Sequence, residues 1–181
     1  ATGNQKGYQF QYNNAGDVME FNYSTDGSTT ISHQSAVLSL NASQYYHFAI
    51  THDAGTHTTK FYVDGILITT DTSGTATSIF DSSGSFGIGA TSISATPASF
   101  MDGLAADFII TSDVLTLAEI VHNMGCDVTT NANLDNVAGH WKMDGLSNDT
   151  MVDESANSND LTTGGSTRVN TTGDFNFDKY D

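Results

Sequence analysis
Basic residues are nearly missing from this chain. Five Lys and Arg stand against 21 Asp and Glu in 181 residues, a formal net charge of −16 at pH 7. So few cations cannot neutralise a phosphate backbone, which excludes a nucleic-acid partner, and they give no hold on anionic lipid. Cysteine is equally scarce. The single Cys126 cannot close an internal disulfide, and with no nucleophile signature around it, it reads as a small buried apolar residue. The one proline, Pro97, leaves the loops unstiffened. No segment reaches the roughly 20 apolar residues of a membrane span. No basic-then-apolar leader opens the chain, as expected of a mature or excised piece. There are only three glutamates, Glu20, Glu119 and Glu154. None has the alternating acidic partner that would set two carboxyl groups about 5–5.5 Å apart for retaining glycoside hydrolysis, so no enzyme activity is expected.

What is abundant is neutral polarity. Only 14% of residues are charged, so Ser, Thr, Asn and Gly must supply most of the surface. The length suits one domain that buries enough of its own surface to need no staples. Apolar residues alternate with polar ones, the period of a strand. Tyr46, Phe48 and Ile50 share one face of 45–51. Asp64-Gly65 separates two β-rich runs within 60–69, the signature of a two-residue hairpin turn. Further strand candidates are 7–12, 18–23, 35–40, 85–89, 104–111, 138–143 and 166–170, punctuated by Asn13-Asn14-Ala15-Gly16, Asp26-Gly27-Ser28, Ser82-Ser83-Gly84 and Gly164-Gly165. Many short strands at this spacing predict an all-β, two-sheet antiparallel sandwich.

One segment departs from alternation. Residues 116–124 space their apolar groups helically, Thr116 and Glu119 make a capping box, and Gly125 stands where a helix would end. The spacing predicts one short helix with Leu117, Ile120 and Val121 turned towards the sandwich.

Two stretches carry a family resemblance. Tyr46-His47-Phe48-Ala49-Ile50-Thr51-His52-Asp53 followed by Phe61-Tyr62-Val63-Asp64-Gly65-Ile66-Leu67, then Gly87-Ile88-Gly89, Phe100 to Ile110 and Leu115 to Ile120, resembles the laminin-G-like branch of the concanavalin-A-like lectin and glucanase jelly rolls. Residues 138–162, AGHWKMDGLSNDTMVDESANSNDLT, are similar to the opening of such a domain but come last here. The resemblance implies a single jelly-roll domain over 1–181 in circularly permuted order. Residues 1–125 would supply the central and closing strands, and 126–181 the family-opening segment. It further implies an extracellular, non-catalytic carbohydrate-binding or adhesion module whose partner is a glycan or cell-surface polysaccharide. The alternative is a structural subunit of an extracellular or virion-surface assembly, packing against its own copies or against other repeats of a larger protein.

Candidate site residues follow from chemistry and from the resemblance together. Calcium takes hard oxygen ligands. In the family the first acid of the closing strand helps hold that ion. Here Ala106 stands in its place and only Asp107 remains. A second candidate is 153–160, where Asp153 and Asn157 present oxygens at loop spacing, although the same pattern describes an Asx-rich surface turn. The metal candidates are therefore Asp107, Asp153 and Asn157, for Ca2+. Six histidines, His33, His47, His52, His57, His122 and His140, show no zinc-type spacing and read as polar partners on half-exposed strands. The lone Trp141 is expected in the core rather than as a sugar platform, and the exposed tyrosines Tyr8, Tyr12 and Tyr23 are the alternative platforms.

Overall fold
The computed structural model describes residues 6–84, 86–89, 101, 103, 105–125, 136–142 and 150–162. Cys126, Pro97, Met143 and the strand expected at 166–170 lie outside them.

β1 (Tyr8–Asn13) and β2 (Val18–Tyr23) form a hairpin, and β3 (Ile31–Gln34) pairs with the far side of β2. Asn13 shapes the first turn, its side-chain oxygen accepting the N–H groups of Ala15 at 3.1 Å and Gly16 at 3.4 Å. The Asp26 carboxylate shapes the link to β3, accepting from the N–H of Ser28 at 2.8 Å and of Thr29 at 2.7 Å. Register then sorts the side chains, since paired residues share a face. Phe10 opposes Phe21, Tyr12 opposes Met19, and Phe21 opposes His33, which makes an aromatic inner face. Gln9, Gln11, Asn13, Glu20, Asn22 and Gln34 take the other face.

β4 (Phe48–Asp53), β5 (Thr58–Val63) and β6 (Ile66–Asp71) form a second antiparallel sheet. Its last hairpin is the expected two-residue turn: Asp64 and Gly65 have φ of +48° and +73°, the pair of positive angles of a type I′ turn. The two sheets face each other across Met19, Phe21, Tyr23, Phe61, Val63 and Ala76, with Ile50 and Ile68 packed alongside. Met19 and Phe61 are 0% exposed, and burying each stabilises the fold by about 1.5–3 kcal/mol. The architecture is thus a β-sandwich of antiparallel sheets with one short helix among the described residues.

Residues 35–40, expected as a strand, are irregular. Main-chain carbonyls accept from the N–H groups of Ser35 and Leu38, and side chains from those of Ala36 and Ser39. The Thr69 hydroxyl accepts from the N–H of Ala36 at 2.7 Å, and the Asp17 carboxylate accepts from that of Ser39 at 2.7 Å. Ser39 also sits at φ +56°. Residues 86–89 are likewise not a strand.

β7 (Phe108–Thr111) pairs antiparallel with β8 (Val137–Trp141) of the same chain, Phe108 opposite Trp141. This is the pairing expected of 138–143 and 103–111. Trp141 is 3% exposed, so it belongs to the interior. Its ring packs on Phe86 at 5.4 Å and covers Gly139, where any β-carbon would collide with it. A two-stranded ladder, β9 (Thr150–Met151) with β10 (Leu161–Thr162), closes the described chain.

The helix α1 runs Leu117–Gly125 and opens on the capping box. Glu119 accepts from the N–H of Thr116 at 2.6 Å, and the Thr116 hydroxyl accepts from the N–H of Glu119 at 3.3 Å. Its inward row is narrower than the apolar spacing suggests. Ile120 is 1% exposed and Asn123 is buried beside it in the helical period, whereas Leu117 and Val121 are 49% and 45% exposed. Val121 still lies against the β5–β6 turn, 2.9 Å from where a β-carbon on Gly65 would stand.

Candidate functional site
The outer face of the first sheet gathers amides round one acid. Glu20, central on the middle strand β2, is only 7% exposed. Its carboxylate accepts from the side-chain amides of Asn13 at 2.8 Å, Gln34 at 3.0 Å and Gln11. Gln9 extends the row by donating to Gln11 at 3.0 Å. Strand alternation makes this ring possible: every second residue of β1, β2 and β3 projects outwards, and Gln9, Gln11 and Asn13 of β1, Asn22 of β2 and Gln34 of β3 share that face with Glu20. The hydrogen bond from Asn13 leads those that hold the Glu20 carboxyl below its ordinary value, outweighing the opposing cost of burial, with Gln11, Asn22 and Gln34 adding to it. The result is an ionised acceptor in a plane of amide donors and acceptors, able to bind hydroxyl groups.

β1 carries aromatic groups on its other face. It is an edge strand, as is β4. Tyr8, Phe10 and Tyr12 are 49%, 42% and 38% exposed. Tyr12 stacks on Phe48 at 6.3 Å, and Phe48 on Tyr46 at 6.3 Å, giving an aromatic rim within reach of solvent. Of the tyrosines expected as platforms, Tyr8 and Tyr12 stand there, whereas Tyr23 is buried.

Asp107, Asp153 and Asn157 are brought together, because all three bond to β8. Asp107 pairs with His140 Nε2 at 2.6 Å. Asp153 accepts from the backbone N–H of His140 at 2.8 Å, of Ser155 at 2.9 Å and of Asn159 at 2.8 Å, and from the Ser155 hydroxyl at 2.8 Å. Burial raises its pKa, but these donors outweigh it and bring the carboxyl down to about 2. Asn157 donates to the carbonyl of Val137 at 2.8 Å. These are the bonds of a turn locked onto a strand, and both Asp153 oxygens are engaged by protein donors. Among the described residues no group of three or more His, Cys, Asp and Glu side chains is placed to hold a metal.

Sequence reasoning missed two constellations. It set Glu20 aside for want of an acidic partner, where the informative signal was the alternation of amides, Gln9, Gln11 and Asn13, on the neighbouring strand. It also read the histidines as half-exposed. His33 and His140 are instead 1% and 2% exposed, and His33 lies with its ring centre 6.0 Å from that of His52.

No helix among the described residues is long and apolar enough to cross a membrane. Neither curated proteins nor solved structures supply a match to this chain. A family model does: Laminin_G_3, described as the concanavalin A-like lectin/glucanases superfamily, matches residues 1–121. With both facing sheets inside that match, the chain belongs to the concanavalin A-like lectin and glucanase superfamily.

Proposed function
We propose that the chain is an extracellular, non-catalytic carbohydrate-binding or adhesion module, and that it holds sugar hydroxyls on the outer face of β1–β3. The observation that carries this reading is Glu20, an ionised carboxylate set in a ring of side-chain amides on a sheet face. A sugar ring offers hydroxyls that both donate and accept. A row of Gln and Asn answers both needs, and the charge-assisted bonds to Glu20 hold those amides in place with their remaining donors and acceptors towards the sugar. The aromatic rim of Tyr8, Phe10 and Tyr12 offers stacking surface on the same strand. Glu20's side-chain partners are amides, which supports binding over hydrolysis, since hydrolysis needs a second carboxyl group. We take 126–181 as completing the same domain, a reading supported by the β7–β8 ladder. That ladder also uses, within one chain, the strand that an exchanged assembly of copies would donate.

The test is a glycan array probed with the 181-residue chain, with calcium present and with calcium chelated. Binding to a defined class of polysaccharide, weakened about tenfold or more in Glu20→Gln and in Gln34→Ala, supports the reading. No glycan bound, or equal binding by both variants, overturns it. The chelated arm reads whether Ca2+ contributes.

A further inference from the structure
Five strands send a polar side chain into one end of the space between the sheets. Tyr23 comes from β2, His33 from β3, His52 from β4, Thr59 from β5 and Asp71 from β6. The Tyr23 and His33 rings lie parallel with centres 5.7 Å apart, and the centre of the His52 ring is 4.7 Å from Tyr23 and 6.0 Å from His33. Each imidazole uses Nδ1 on a neighbour. His33 Nδ1 meets the Asp71 carboxylate at 2.9 Å, and His52 Nδ1 meets the Thr59 hydroxyl at 2.9 Å. The Nε2 atoms of both, and the Tyr23 hydroxyl, are buried and have no hydrogen-bond partner. His33 is 1% and Tyr23 2% exposed, so water outside the fold does not satisfy them. Buried polar atoms are costly to leave unmatched, and three of them converge on this one place.

We propose that this cluster binds one transition-metal ion of the imidazole-preferring class, Cu2+ or Zn2+, through His33 Nε2 and His52 Nε2 with the Tyr23 oxygen as third donor. Imidazole suits these ions, and the Asp71–His33 arrangement is the carboxylate–histidine support that fixes a ligand's tautomer. An ionised Asp71 requires Nδ1 of His33 to carry the proton, which turns the Nε2 lone pair into the cluster. Two imidazoles bound to one ion at about 2.0–2.1 Å have their centres about 6.5 Å apart at most, and the observed 6.0 Å lies within that limit. Charge also closes. On coordination the Tyr23 phenol releases its proton to solvent, so a divalent ion is balanced by one phenolate and the Asp71 carboxylate. Gly74 stands over the site: a β-carbon there would lie 3.1 Å from His33 Nε2 and 3.2 Å from the Tyr23 oxygen. With exposed Ser73 and Thr75 on either side, it marks the way in.

The experiment is a titration of the untagged chain with CuSO4 and with ZnCl2, followed by calorimetry and visible absorption. One equivalent should bind. Affinity should fall 100-fold or more in His33→Gln and His52→Gln, and 10–100-fold in Asp71→Asn. It should not change in His122→Gln, a histidine on the exposed side of α1. A phenolate-to-copper charge-transfer band should appear and be absent in Tyr23→Phe, a variant that keeps the ring packing. Should the histidine variants fail to fold, Gly74→Ala, which keeps every ligand but sets a methyl group against His33 Nε2 and the Tyr23 oxygen, should still weaken binding. Absence of stoichiometric binding, or binding that His33→Gln, His52→Gln and Gly74→Ala leave unaltered, would overturn the site. An unchanged copper spectrum in Tyr23→Phe would remove the third donor.

Discussion

Glu20 and Asp153 are both nearly buried acids, 7% and 5% exposed, and both carboxyls are held below their ordinary pKa. Their partners differ in kind. Asp153 is surrounded mostly by main-chain N–H groups drawn from β8 and from its own turn. Glu20 is surrounded by side-chain amides from β1 and β3. A carboxylate that collects backbone donors is fixing where the chain goes. One that collects amides leaves the backbone to its ladder, and arranges a surface instead. The position of the donors therefore separates a structural acid from a candidate recognition acid where burial and pKa direction do not.

The sharpest way to break this distinction is to remove each acid. Asp153→Ala orphans the N–H groups of His140, Ser155 and Asn159. At about 1–3 kcal/mol per unmatched buried group, and with some regained from water, the loss should be about 3 kcal/mol or more. Urea denaturation reads it, and a loss below about 1 kcal/mol would mean the turn holds without its hub.

A smaller effect is expected at the β5–β6 turn, where backbone geometry and packing act together. Gly65→Ala adds a β-carbon at φ +73° and sets it 2.9 Å from Val121 of α1. Strain of about 1 kcal/mol, plus the displacement of Val121, should lower stability by about 2 kcal/mol. Val121→Ala in the same chain should return part of it. If the double variant is no more stable than Gly65→Ala alone, the helix does not rest on this turn.

That turn is legible in the sequence, because Asp-Gly between β-rich runs admits few conformations. The capping box of α1 is legible for the same reason: both are local, and the residues that decide them are close neighbours along the chain. So is the β7–β8 ladder, through a family pattern carried by 138–143. What does not show in the sequence depends on contacts between distant residues. Residues 35–40 alternate like a strand, but the side chains of Thr69 and Asp17 take the N–H groups of Ala36 and Ser39. The inward row of α1 includes Asn123, three residues on from Ile120, which an apolar pattern passes over because the side chain is polar. The Glu20 ring requires the register of three strands, with Gln11 opposite Glu20 and Glu20 opposite Gln34. The His33–His52 approach requires two sheets stacked. Alternation tells which residues share a face, but it does not tell which two faces meet.

Acid should reveal the structural hub in the wild-type chain. The Asp153 carboxyl titrates at about 2 in the fold, against about 3.9 in an unfolded chain. A depressed carboxyl contributes stability that is complete above the unfolded value and lost as the pH falls towards the folded one. Between about pH 5 and 2 the wild type should therefore lose stability more steeply than Asp153→Asn, and the two curves should converge. Parallel curves would place the acid sensitivity elsewhere, for example in Asp71, where burial raises the carboxyl's pKa but bonds with Ser73 and His33 outweigh it and keep the group low.

The smallest change in stability should come from Glu20→Gln, and it is the one that separates the two acids best. The substitution keeps the shape of the side chain and removes its charge. One of the two acceptor oxygens becomes an N–H donor, so an amide of Asn13, Gln34 or Gln11 must turn away. Gln34 is exposed, and Gln11 and Asn13 are partly so, which lets water replace the lost bond. The net cost of an ordinary hydrogen bond exchanged for water is about 0.5–1.5 kcal/mol, so stability should fall by about 1 kcal/mol, well short of Asp153→Ala. Glycan affinity should nevertheless drop tenfold or more, because the amides that Glu20 holds in place turn and meet the sugar oriented the wrong way. Equilibrium denaturation and glycan binding measured on the same preparation provide the comparison. Stability lost with affinity kept would make Glu20 a second Asp153, an acid that only holds the fold. Affinity lost with stability kept would make the amide face of β1–β3 the working surface of the domain.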